Sequence, residues 1–203
     1  MGQRQDHSAA VVVEKPEGAK PPEHLAWMAR PEPEPRELWV RRIERMALGT
    51  PYNKVVERVG ELVRRLAAKH KVRLVVDATG LGAPVMEMLQ RAALPCWTTA
   101  VTITGGESAH QSGDQWRVPK KDLMDGLAVL LEERLLRLPK GSAETATLVR
   151  ELSAMELRGG KMHARGSGHD DLVLALALAC WVGRKEYFPM FSDKRLPGIP
   201  PGV

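Results

Sequence analysis

The period of hydrophobic and polar positions changes several times along this chain, and the changes predict strands and helices in alternation. Residues 10–14 form a short β-branched run that reads as a first strand. Residues 38–46 read as a second, with Leu38, Val40 and Arg42 on one face and Trp39, Arg41 and Ile43 on the other. The Pro/Glu-rich stretch 15–36 between them reads as a long hairpin connection or a mobile loop. Val55, Val56, Val59, Leu62, Val63 and Leu66 then recur at spacings of three and four, so an amphipathic helix is predicted to about residue 70. Thr50 is its expected N-cap, with Pro51 at the first helical position.

Residues 72–76 suit a strand buried on both faces, closed by Asp77-Ala78-Thr79-Gly80. A helix over 83–91, a strand over 97–104 and a polar loop over 105–119 follow. Next come a helix over 120–134, a short strand over 135–138 and a helix over 142–155 opened by Ser142. Residues 172–182 are almost wholly apolar, and a helix apolar all round is a buried one.

Composition narrows this picture. With 203 residues, 43% hydrophobic and 27% charged, the chain can bury one sizeable core. The expected organisation is one domain over 1–185 and a Pro-containing tail over 186–203. No apolar run approaches the roughly 20 residues that cross a bilayer, and no apolar signal segment opens the chain. A soluble protein that stays in the cytoplasm, without a membrane partner, is the expectation. Cys96 and Cys180 lie far apart in apolar surroundings, which favours reduced thiols over a disulfide or a thiolate metal cluster. The net charge of +5 is unevenly spread: residues 36–73 carry eleven Lys/Arg against four Asp/Glu. That excess reads either as a solvated helix face or as a surface for a polyanion.

Few residues are placed to do chemistry. Asp77 ends a buried strand, where open α/β sheets bind their ligands, although it could simply cap the following turn. Asp170 and Asp171 open the apolar helix, and one of them would suffice as a cap. Two acids preceded by His169 and a glycine-rich turn offer hard oxygen ligands, which suit Mg²⁺ or Mn²⁺. Lys120 and Lys121 stand at a helix start, a position cations tolerate better when an anion docks there. Thr79-Gly80-Leu81-Gly82 looks like a phosphate-binding turn but lacks the third glycine of the dinucleotide fingerprint. Walker A and His-Glu-x-x-His sequences are absent, so neither ATP hydrolysis nor a zinc hydrolase site is supported. No nucleotide-binding residues and no small-molecule cofactor are assigned.

Four stretches taken together resemble the nuclease domain of the large terminase subunit of tailed phages, in the RNase H-like superfamily. They are residues 2–9 (GQRQDHSA), 75–85 (VVDATGLGAPV), 118–123 (VPKKDL) and 169–177 (HDDLVLALA), in order along nearly the whole chain. The second and fourth are the specific ones. The resemblance implies an α/β fold, a central mixed sheet flanked by helices, with acids at strand and helix ends. Those acids would hold two divalent ions, Mg²⁺ or Mn²⁺, that cut a DNA phosphodiester by stabilising the attacking and leaving oxygens. By the same resemblance Asp77 would be the second metal-binding acid and Asp170 or Asp171 the third, with His169 behind them and Lys120 or Lys121 near the phosphate. The first acid ends a central strand before the Gly-Gln turn, and here Met1 directly precedes Gly2. The expectation is therefore a domain whose first central strand is largely missing, truncated at its N-terminus. The missing strand would leave two sheet edges exposed. Such a domain would cut concatemeric DNA in a bacterial host's cytoplasm, alongside a packaging ATPase domain, a small subunit and a portal. The alternative is an inactive remnant that binds DNA or a packaging partner through its basic face.

Overall fold

A computed structural model of the chain describes residues 7–16, 37–79, 82–113, 115–158, 161–164 and 170–184. The turn at 2–6, most of the stretch 15–36, Gly80-Leu81, His169 and the tail 186–203 lie outside the described residues.

Strand β1 (Ala9–Glu14) pairs antiparallel with β2 (Leu38–Arg45), so the Pro/Glu-rich stretch joins two hairpin partners. The expected face alternation of β2 fails at one point. Val12 opposes Arg42 while Val13 opposes Val40, which leaves Arg41 as the extra residue of a β-bulge. The bulge shifts the facing by one residue, so Ile43 joins Leu38 and Val40 in the core while Arg41 and Arg42 both stay exposed.

A second sheet is built from β3 (Arg73–Asp77), β4 (Trp97–Thr104), β5 (His110–Ser112) and β6 (Gln115–Pro119), in the spatial order β3-β4-β6-β5. Here β3, β4 and β6 are parallel and β5 is antiparallel to β6. The predicted polar loop over 105–119 thus contains a short hairpin. Gly113, with φ of 59°, stands at its turn, and Val118 in β6 is fully buried. The short strand β7 (Leu136–Arg137) returns to the first sheet and pairs in parallel with β2. A third pair, β8 (Met155–Arg158) with β9 (Lys161–Ala164), is an antiparallel hairpin that the hydrophobic pattern does not reveal.

Among the described residues five helices cover the sheets. Helix α1 (Tyr52–Ala67) starts one residue later than predicted, with Pro51 at the N-cap. Thr50 does not cap it, because its hydroxyl donates to the Ala47 carbonyl at 2.6 Å in the preceding turn. Helix α2 (Gly82–Arg91) packs beside α1, and together they bury Leu74 and Val76 of β3 with Val56, Val85 and Leu89. Helix α3 (Lys120–Glu132) follows β6 directly. Helix α4 (Ala143–Ser153) is capped as predicted: the Ser142 hydroxyl accepts from the Thr145 amide at 3.0 Å.

Helix α5 (Asp171–Arg184) organises the whole. Leu172, Val173, Leu176, Ala177, Leu178, Cys180 and Val182 are all buried, as an all-round apolar helix demands. Val75, facing away from α1 and α2, joins Val101, Val118 and Ile103 in the larger core with α3 and α5. Helix α5 packs against β1 and β2 of one sheet and β3 of the other. Among the described residues no strand pairs with the outer edge of β1 or of β3. Accordingly every residue of β1, though nearly all apolar, is only half-buried. Helix α5 thus spans the division between the two sheets.

Candidate functional site

Three parts of the chain meet at the start of α5. Strand β6 passes directly into α3, and Lys120 at that junction holds the Asp170 carboxylate at 2.7 Å. Because β3, β4 and β6 are parallel, Asp77 at the end of β3 lies at the same end of the sheet as the start of α5. On the other side, the His7 amide donates to the Asp171 carboxylate at 3.2 Å, just before β1 begins. Arg45, the last residue of β2, reaches the same oxygen at 3.5 Å. β1 therefore runs away from this end while β3 runs toward it.

Glu151, on α4, caps the start of α5 from a distance in sequence: its carboxylate accepts from the amides of Leu172 at 3.1 Å and Val173 at 3.4 Å. Its second oxygen faces Arg45 at 3.5 Å. Burial pushes the Glu151 carboxyl above its usual range, against the pull of Arg45 and the two amides. Arg45 thus lies between two carboxylates, that of Glu151, which caps α5, and that of Asp171. Glu151 and Arg45 are the residues sequence reasoning missed. A Glu late in one helix and an Arg ending a strand carry no local signal of meeting the first turn of another helix.

Asp77 has a local role as well. Its carboxylate accepts from the Thr79 amide at 2.8 Å, the turn-capping bond that sequence allowed for. The Thr79 hydroxyl in turn accepts from the Ile103 amide at 2.6 Å, fixing the loop to β4. Asp77 is half-buried, and a carboxylate has more lone pairs than that one bond uses. Lys121 pairs with Asp125 at 2.6 Å, one turn along α3, and this neighbour raises the pKa of its ammonium group.

The structure therefore gathers Asp170, Asp171 and Lys120 around the start of α5, with Asp77 at the same end of the sheet. His169 lies outside the described residues. Among the described residues, no group of three or more His, Cys, Asp or Glu side chains is close enough to hold a metal ion. In kind, the donors fit a hard divalent cation, since all three candidates are carboxylates. Two of them are neutralised by Lys120 and Arg45, which an incoming cation would have to displace or share.

No protein-family profile and no curated protein matches the chain. Among solved structures it is similar to the large terminase nuclease from thermophilic phage G20c, determined with bound cobalt. The similarity covers 89% of this chain and 84% of that one, with a TM-score of 0.53 and 21% sequence identity. At that identity the likeness establishes the fold alone: the chain shares the mixed α/β architecture of that structure.

Proposed function

We propose that this chain is a metal-dependent DNA endonuclease domain of the phage terminase type, hydrolysing phosphodiester bonds of concatemeric DNA during packaging. The observation that carries this reading is the placement of Asp77, Asp170 and Asp171 at one end of a sheet whose fold matches a terminase nuclease. Asp77 and one or both of the adjacent acids would hold the metal, for which Mg²⁺ and Mn²⁺ are the natural candidates. When bound, such ions supply Lewis acidity and a water activated at neutral pH. The chain's own residues do the rest. Arg45, anchored on Glu151, fixes the Asp171 carboxylate, and Lys120 can exchange Asp170 for a backbone phosphate once a cation takes the carboxylate. Double-stranded DNA is the substrate on this reading, and an ATPase domain, small subunit and portal are its packaging partners in the host cytoplasm.

Nicking of supercoiled plasmid in Mn²⁺ tests it. The expected result is relaxation that EDTA stops and Asp77→Ala abolishes. Nicking that is absent, or equal in the Asp77→Ala variant, overturns it.

A second reading has its own support, because no three acids converge among the described residues. On that reading the domain is catalytically inactive and binds DNA or a packaging partner. It predicts salt-dependent DNA binding without nicking in any divalent cation.

A further inference from the structure

The end of the sheet remote from the acids carries a different chemistry. Residues 64–73 (RRLAAKHKVR) hold five Lys/Arg and one His with no acid among them. They run from the last turn of α1 into β3, so connectivity places them where β3 and its parallel neighbour β4 begin. Arg64, Arg65, Lys69, His70 and Lys71 are all exposed. Among the described residues none of these five pairs with a carboxylate, whereas Lys54, Arg58 and Arg91 on the flanking helices each do.

An aromatic ring lies in the same place. Trp97 opens β4 directly opposite Arg73, its amide donating to the Val72 carbonyl at 3.3 Å, yet 55% of its surface is exposed. The helix dipole explains cations in the last turn of α1, but its effect fades within that turn. Lys69, His70 and Lys71 come after the helix has ended at Ala67, and among the described residues no carboxylate offsets the repulsion between the two lysines.

We propose that this end of the sheet is a second nucleic-acid contact surface, with Arg64, Arg65, Lys69 and Lys71 on backbone phosphates and Trp97 against a base or sugar. Phosphate spacing suits several cations along one edge, and an exposed indole among cations offers a stacking platform. An anionic membrane would also attract the charge, but insertion needs more apolar surface than a single exposed Trp at this end provides. The surface is set apart from the acids by the length of β3, four residue steps or roughly 13 Å at about 3.3 Å per residue. It does not depend on the nuclease reading.

The test is fluorescence anisotropy of the full chain on a labelled duplex and on its single strand, in EDTA, over a series of salt concentrations. Lys69→Glu with Lys71→Glu should lower the salt slope by about 2 and weaken binding at least about tenfold at low salt. Trp97→Ala should weaken single-strand binding more than duplex binding. The same charge change placed elsewhere, Lys140→Glu with Arg150→Glu, should leave the slope nearly unaltered. The proposal is overturned if the chain does not bind either probe, if the Lys69/Lys71 variant binds as the unaltered chain does, or if the control variant loses as much. Binding to phosphatidylserine vesicles with none to DNA overturns it in favour of a membrane.

Discussion

The two ends of the sheet built on β3, β4 and β6 are opposites in charge and in how they are held. At the carboxyl ends of the strands, Asp77, Asp170 and Asp171 are held by Thr79, Lys120, His7 and Arg45. At the amino ends, exposed cations are left without carboxylate partners among the described residues. A carboxylate fixed by packed neighbours is suited to bind something small in a defined geometry. A row of exposed cations on long stems is suited to a polyanion whose register is unimportant. The net charge of +5 averages the two and conceals both.

This contrast is most vulnerable at the acid end. Asp171→Ala should reduce Mn²⁺-dependent nicking to background while leaving duplex affinity in EDTA close to that of the unaltered chain. Equal loss of both would show that the acids and the basic end are not separate functions. Next in size is Glu151→Ala, which uncaps α5 and leaves Arg45 without its buried partner. It should cost about 3 kcal/mol in chemical denaturation, as breaking a largely buried ion pair does. The same variant should cost metal affinity through Asp171, and Glu151→Gln, which keeps an acceptor for the helix amides, should restore part of the stability. Leu176→Ala, at the centre of α5 and away from the charged ends, should cost a similar amount, about 2–5 kcal/mol, without selective effect on metal or DNA binding of the folded fraction.

The smallest effect concerns neither end. Arg134 follows α3 with φ of 57°, and the Leu135 amide bonds back to the Leu130 carbonyl at 2.9 Å, completing a Schellman motif with a residue other than glycine at its left-handed position. Arg134→Gly should stabilise the chain by about 0.5–1 kcal/mol, measurable as a small rise in Tm.

How much of this could be read from the sequence depended on how local its cause was. The burial of α5 was legible because its apolar residues occupy every side of the helix, and β4 because residues 97–104 are mostly β-branched. The orientation of Ile43 was not, because the bulge at Arg41 arises from pairing with β1 and leaves no mark in β2 itself. The hairpin of β5 and β6 hid in a polar stretch whose deeply buried residues, Val118 and Pro119, come only at its end. In the site, the position of Asp77 followed from a β-branched run ending in an acid. The roles of Glu151 and Arg45 did not, since each meets the start of α5 only through the folded packing of α4 and β2. The basic end was visible as a local excess of cations, but its separation from the acids emerged only from the parallel order of the strands.

Calorimetric titration of Mn²⁺ into the chain is the sharpest test of the acid end, because it needs neither DNA nor turnover. Saturable binding is expected, weakened at least about tenfold by Asp77→Ala and again by Asp171→Ala, as loss of a carboxylate ligand requires. Lys69→Glu with Lys71→Glu should leave it unchanged. No binding by the unaltered chain, or binding indifferent to both aspartates, would contradict the assignment of a metal centre to this end of the sheet.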